Sequence, residues 1–261
     1  MLNDQDNDDA PIGRILTRRE ALVIFGGAGA GSLLAGCVSS GGAPATTDTP
    51  SSSSGPASSS AAACVAKPQL TEGPYFVDEK LNRGDIRSDT NTGAAKTGAP
   101  LALAINVQRI QSGACTPLAG AIVDVWQCDA LGVYSDARDR SFNTVGQNFL
   151  RGYQVTDASG VARFTTIVPG WYPGRASHIH FKIRQSLAPS SAYEFTSQLF
   201  FDEAFLTALY TSEAAYSSKG DAGRVRNERD GIYNQGGAQL LVTPAKATAG
   251  YTTTLIVGLN V

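Results

Sequence analysis

The sequence predicts an all-β protein, with a single β-sandwich domain spanning residues 64–261. Three observations carry this expectation. Glycine (28) and proline (12) are abundant in the 261 residues, as in turn-rich β chains. After Cys64, short runs of alternating apolar and polar residues recur, each bounded by turn residues. Helical periodicity is confined to one short stretch and no internal repeat is present, which favours two packed sheets over a helical or mixed architecture.

Two segments stand before that domain. Residues 1–37 read as an export signal: Arg18-Arg19, an apolar glycine-rich run, then Leu34-Ala35-Gly36-Cys37. The paired arginines resemble a twin-arginine address, and "LAGC" resembles a bacterial lipoprotein site with Cys37 as the acylated residue. Ala21 to Gly36 is uncharged but short and glycine-rich, too short for a membrane span. "GGAGAG" has no strand before it and is not read as a phosphate loop. Residues 38–63, "VSSGGAPATTDTPSSSSGPASSSAAA", hold one charge and no aromatic ring. Such a segment cannot offset the entropy of ordering it and is expected to be a flexible tether, roughly 30 Å end to end. The predicted location is therefore outside the cytoplasm, on an N-terminal lipid anchor at a bacterial membrane.

The strands follow in order. Leu101–Ile110 places Leu101, Leu103, Ile105 and Val107 on one face. A turn with Pro117 and Gly120 precedes Ala121–Gln127. "FLRGYQVT" and "GVARFTTIV" flank Asp157–Gly160, "DASG", which predicts a hairpin. "HIHFKIR" is another alternating run, with further strands expected near Phe195–Phe201, Gln239–Val242 and Tyr251–Gly258. A short helix is expected around Asp202–Tyr210.

Charge and cysteine usage narrow the function. Charged residues make up 17% of the chain and the net charge is −2. No basic stripe exists, which argues against a nucleic-acid partner. Without the first 36 residues, 18 basic and 18 acidic residues remain. Cys115 and Cys128 bracket Leu118–Gln127, read as a continuous strand. Ten extended residues cover about 33 Å, beyond the reach of a disulfide. Cys64 is therefore expected to pair with one of the two, leaving the other thiol free; which one stays open.

The chain's only two histidines are His178 and His180, one residue apart in "GWYPGRASHIHFKI". In a strand they point to one face and offer two imidazoles to a metal. No acidic residue lies between Asp157 and Glu194, so other donors must complete a site. Tyr172, on the Gly/Pro-rich loop before the strand, and Tyr134, just past Ala121–Gln127, are candidates. Phenolate is a hard, charged donor, and two phenolates with two imidazoles suit trivalent iron better than zinc. A bound cation must lower each phenol's pKa by roughly three units, or about 4 kcal/mol. Nine tyrosines are present, and most must serve packing.

"AGAIVDVWQCDALGVYSD", "YQVTDASGVARFTTIVPGWYPGR" and "SHIHFKI" together resemble the intradiol ring-cleavage dioxygenases, in particular their exported, extracytoplasmic branch. "TEGPYF" (Thr71–Phe76) and "SQLFFD" (Ser197–Asp202) extend the likeness, which runs from about Cys64 to the end. The resemblance implies a non-haem Fe(III) centre in a β-sandwich, with Tyr134, Tyr172, His178 and His180 as protein ligands. It implies that Tyr172 is released when substrate binds, that Arg175 faces the substrate ring, and that Gln198 lies near the pocket. Pro74 and Tyr75 are expected at its mouth. The implied reaction opens a catechol-type aromatic diol with O2 between its two hydroxylated carbons, giving a cis,cis-muconate-type product without an organic cofactor.

Only Pro173 and Gly174 separate Tyr172 from Arg175, fewer residues than in the cytosolic members, and the helical dimer-forming segment of the catechol-type members has no evident counterpart. Substrate and oligomeric state therefore stay open. Two other readings are a membrane-tethered, non-catalytic binding module that keeps the scaffold, and a zinc or copper site on His-x-His alone.

Overall fold

The computed structural model describes residues 65–188 and 191–261. The predicted export signal, the tether and Cys64 lie outside them. Among the described residues the strands are β1 (Pro100–Gln111), β2 (Ala114–Pro117), β3 (Ile122–Trp126), β4 (Arg151–Val155), β5 (Val161–Ile167), β6 (His178–Arg184), β7 (Glu194–Phe201), β8 (Leu241–Val242), β9 (Ala245–Ala247) and β10 (Gly250–Leu259). Helices α1 (Glu203–Ser212) and α2 (Ala214–Ser217) lie between β7 and β8. One sheet runs β2-β1-β10-β9, with β5 also on β1; the other runs β4-β3-β6-β7-β8. The predicted all-β sandwich is what the chain forms.

Alternation decides what each sheet buries. Leu101, Leu103, Ile105 and Val107 of β1 are buried, as are Val123 and Val125 of β3 and Ile179, Phe181 and Ile183 of β6, all in one core cluster. Each such side chain removed from water contributes about 1.5–3 kcal/mol. The other face of β6 is also buried, from His178 through Arg184. An alternating run usually leaves one face to solvent, and here it does not. The reason lies far away in sequence: the segment around Phe76 covers this outer face. Phe76 packs on Trp126 (ring centroids 4.8 Å apart) and lies under Lys182 Nζ, 4.0 Å from its centroid. Lys182 also pairs with Glu72 of that segment.

Two local expectations are corrected. Asp157–Gly160 does turn the chain, with Asp157 Oδ1 accepting from the Val161 N–H at 3.0 Å. It does not close a hairpin: β4 pairs with β3 and β5 with β1, so the turn crosses between sheets. The turn residues specify a reversal and not a partner, and the long β1 has room for β5 beside its N-terminal half and β2 beside its C-terminal end. Leu118–Gln127 is not one strand either. Pro117 ends β2, and Gly120 (φ 77°) turns the chain into β3 in the other sheet. Cys115 is disulfide-bonded, to a partner outside the described residues, and Cys128 is a free, buried thiol. The choice left open by the sequence falls on Cys115.

Helix α1 starts where Asp202 accepts from the Phe205 N–H (2.9 Å) and buries Leu206, Leu209 and Tyr210. It anchors the loop before β6: the Tyr210 hydroxyl donates to Pro169 O (2.7 Å) and lies 2.8 Å from Ser177 Oγ. Tyr216 of α2 does likewise, donating to Val168 O at 2.6 Å. The predicted strand near Gln239 is instead a 3-10 turn, Gly237–Leu240, followed by the two-residue β8.

Candidate metal centre

Strand register sets one row of side chains on the outer face of the second sheet. Arg151 of β4, Trp126 of β3, His180 of β6 and Gln198 of β7 stand opposite one another in turn. The indole of Trp126 lies flat on the His180 ring, 4.9 Å between centroids and 7° between planes. Trp126, Cys128, Tyr134 and Ala137 form a second apolar cluster, with Tyr75, Phe76, Phe142 and Tyr172 against it.

Two loops bring the tyrosines. The first leaves β3 and is folded by Asp129, whose Oδ1 accepts from the N–H groups of Leu131 and Val133, both at 3.0 Å. Tyr134 follows, 1% exposed, with Tyr75 stacked on it at 4.4 Å and 19°. The second loop, 168–177, carries Tyr172 and Arg175. The loops touch at Gly170, whose N–H donates to Asp129 O at 3.0 Å. A Cβ at that glycine would lie 2.2 Å from Ala130 O. Gly170→Ala must therefore push the tyrosine loops apart. It is expected to destabilise the protein by about 2 kcal/mol, measured as a lower urea midpoint, and to weaken iron retention.

Four donor atoms converge. His178 Nε2 lies 3.0 Å from His180 Nε2, 3.4 Å from Tyr134 Oη and 3.4 Å from Tyr172 Oη. His178 Nδ1 donates to Ala176 O at 2.6 Å, which fixes the tautomer and leaves the Nε2 lone pair facing the other three donors. Burial and then the charge of Arg175 push His178 down to about 3. Burial, then His178 and Arg175, hold His180 well below the usual histidine range. Both imidazoles are thus neutral ligand forms. Burial pushes the Tyr134 phenol well above its ordinary value, with Tyr172 adding to the effect, so its ionisation there requires a positive partner.

These residues fit a metal ion. Ligand bonds of about 2.0–2.1 Å place neighbouring donors about 2.9–3.4 Å apart, the spacing found among the donors around His178 Nε2. Among the described residues no group of three or more His, Cys, Asp or Glu is placed to share an ion. Tyr134 Oη and Tyr172 Oη are the oxygen donors beside the two imidazoles, and such a set of two hard oxygens and two nitrogens would suit trivalent iron.

Arg175 and Gln198 meet beside this centre, Nη2 donating to Oε1 at 2.6 Å, while Gln198 Nε2 donates to Thr71 O at 2.9 Å. Tyr75 reaches the cluster and donates to Asp139 Oδ2 at 2.9 Å; Pro74 is exposed on the turn before it. Cys37 lies outside the described residues. Sequence reasoning missed Trp126, Arg151 and Asp230. Trp126 carried a signal: a large ring sharing a strand face with Asp124 marks an outer face that something covers. Arg151 donates to Ser135 Oγ (2.7 Å) and Tyr75 O (2.6 Å), joining both flanks of Tyr134. Asp230 accepts from Arg175 Nε at 3.1 Å, from a segment without periodicity.

Comparison with known proteins places this fold in a family. The model of a family described as Dioxygenase matches residues 71–221. A segment of 119 residues is 37% identical to the protocatechuate 3,4-dioxygenase beta chain of Burkholderia cepacia; it covers 42% of this chain and 50% of that one, so the match spans half the relative's length. An intradiol ring-cleavage dioxygenase from Tetranychus urticae superposes with a TM-score of 0.62 and 29% identity, over 76% of this chain and 95% of that one. The dioxygenase domain of a carbohydrate-binding fusion protein from Streptomyces sp. SirexAA-E gives 0.52 and 27%, over 76% and 99%. The class is thus a β-sandwich of the dioxygenase type. Within it, the chain belongs to the intradiol ring-cleavage dioxygenase family.

Proposed function

We propose that the protein is a non-haem Fe(III)-dependent dioxygenase that opens a catechol-type diol with O2 between its hydroxylated carbons, both oxygen atoms entering a cis,cis-muconate-type product. The observation that carries this reading is the convergence of Tyr134, Tyr172 and His180 donors on His178 Nε2, within 3.0–3.4 Å. Bound there, iron(III) supplies Lewis-acid polarisation and a template for the diol oxygens.

The chain's residues do the rest. Tyr134, His178 and His180 are at most 2% exposed and serve as the fixed donors. Tyr172 is only half-buried, beside Pro173 and Gly174, and is the donor placed to yield to substrate and take one of its protons on Oη. Arg175 keeps its charge at any working pH, and Gln198 Oε1, 2.6 Å from Nη2, holds its guanidinium. That fixed positive charge offsets negative charge developing on the ring. The rings of Tyr75, Trp126 and Phe142 exclude water around the donors.

Oxygen uptake by iron-loaded protein with catechol, protocatechuate, hydroxyquinol and larger catechols tests the reading. Expected results are uptake of one O2 per diol and a wine-red protein, from phenolate-to-iron charge transfer. A colourless protein inert towards the whole panel overturns it. Tyr172→Phe is expected to shift the visible band and slow turnover about 100-fold; an unchanged spectrum would remove Tyr172 from the site.

A further inference from the structure

Asp230 is fully buried, and its carboxylate makes two separate sets of contacts. Oδ1 accepts from the backbone N–H groups of Ile232 (2.7 Å) and Tyr233 (3.1 Å), a local cap on its own turn. Oδ2 reaches 54 and 55 residues back, accepting from the Ala176 N–H at 2.6 Å and Arg175 Nε at 3.1 Å. The carbonyl of the same Ala176 accepts His178 Nδ1–H at 2.6 Å. One carboxylate oxygen thus grips both the guanidinium and the residue that fixes the tautomer of His178.

The turn bearing Asp230 is firmly held. Asp230 N–H donates to Asn227 O at 3.0 Å, and Asn227 Nδ2 donates to Phe201 O at 2.9 Å, at the end of β7. Burial pushes the carboxyl up, but Arg175 and the backbone N–H groups of Ala176 and Tyr233 outweigh it and hold Asp230 below the usual carboxylate range. A cap on the turn needs only Oδ1. Oδ2 is committed to the loop carrying the candidate site.

We propose that Asp230 is the positioning residue of this centre, a buried counter-charge that aims Arg175 and steadies Ala176 behind His178. The proposal rests on the dioxygenase reading for what Arg175 does, but not for the contacts themselves. Without the carboxylate, Arg175 loses its buried anionic partner and can turn from the ring position. An interaction used in the transition state then disappears, which lowers kcat more than it changes KM.

The test uses the full chain at saturating iron. Asp230→Asn is expected to lower kcat about 30-fold, as for loss of a charge-assisted hydrogen bond, with KM within about threefold and the visible band retained. At saturating iron, Arg175→Gln combined with Asp230→Asn is expected to lose clearly less than the product of the two single losses, because most of the Asp230 effect on kcat passes through the same guanidinium. Iron release to a chelator is expected to be about tenfold faster in Asp230→Asn, since the support behind a ligand histidine is loosened. Losses that multiply in the double variant, with iron release unchanged, would reduce Asp230 to a turn cap. Should Asp230→Asn not fold, the double variant, which removes both buried charges, is expected to fold again; failure of the double where Arg175→Gln folds overturns the proposal. An inert wild type would defeat the reading of function, while the iron-release and folding comparisons would still judge Asp230.

Discussion

His180→Ala is expected to lose iron affinity by more than about 100-fold, beyond the 10–100-fold typical of losing a mere supporting partner, and to be colourless. The fold should survive, which makes this the most direct test of the centre. His180 sits mid-sheet, with β3 on one side and β7 on the other. Its Nδ1 makes no hydrogen bond among the described residues, so truncation orphans no partner there. Besides the donor atom, the variant loses the stack on Trp126 and the ring contacts with Tyr134 and His178, and it leaves a buried cavity, together about 2–3 kcal/mol. Metal analysis and thermal unfolding separate the two losses. Iron should raise the melting temperature of the wild type, since a ligand that binds only the folded state stabilises it by mass action. Iron should leave the variant's melting temperature nearly unmoved. A His180→Ala protein that keeps iron and colour would exclude this imidazole from the site.

What the sequence revealed of this centre, and what it concealed, follows from range. Alternation is a local property, so the inward faces of β1, β3 and β6 were legible, as was the shared direction of His178 and His180. The turn at Asp157–Gly160 was legible as a reversal, but the sheet each flanking strand joins depends on edges presented by β1 and β3. Burial of the outer face of β6 depends on Phe76, Glu72 and Asp78, about a hundred residues earlier. Picking Tyr134 and Tyr172 from nine tyrosines needed the ordered motifs shared with a family, because Tyr134 lies 44 residues from His178 and no spacing rule connects them. Asp230 had no signal at all: an acidic residue in a chain of short turns reads as solvent-facing until the fold places Arg175 beside it.

Arg184→Ala is expected to cost about 3–5 kcal/mol at neutral pH, the usual penalty for stranding a buried charge, and its pH dependence identifies the stranded groups. Arg184 ends β6 and binds two carboxylates. It donates to Asp124 on β3 at 2.9 and 3.0 Å and to Asp78 on the covering segment at 2.8 and 3.1 Å. Burial already pushes Asp124 up to about 6, against the attraction and hydrogen bonding of Arg184; without Arg184 it rises further. A carboxyl with a raised folded pKa is fully accommodated only when protonated, so stability falls as pH rises from its unfolded value, about 4, through the folded one. Asp78 is held below its ordinary range, first by its hydrogen bond to Arg184. That stabilisation exists only above the unfolded pKa, and the variant forfeits it there. Both effects have one sign: the gap between wild type and Arg184→Ala should be small near pH 4 and widen to its full size above pH 7. Urea unfolding across that range measures it, and a gap that stays flat would show that Arg184 contributes packing alone. Because Asp78 belongs to the segment that lays Tyr75 over Tyr134, the same variant should also bind iron less tightly than the wild type, by a factor larger at pH 7 than at pH 5; the comparison at each pH cancels the proton competition that both proteins share. The clasp that holds the cover on the sheet thus also holds the ring that stacks on a candidate ligand.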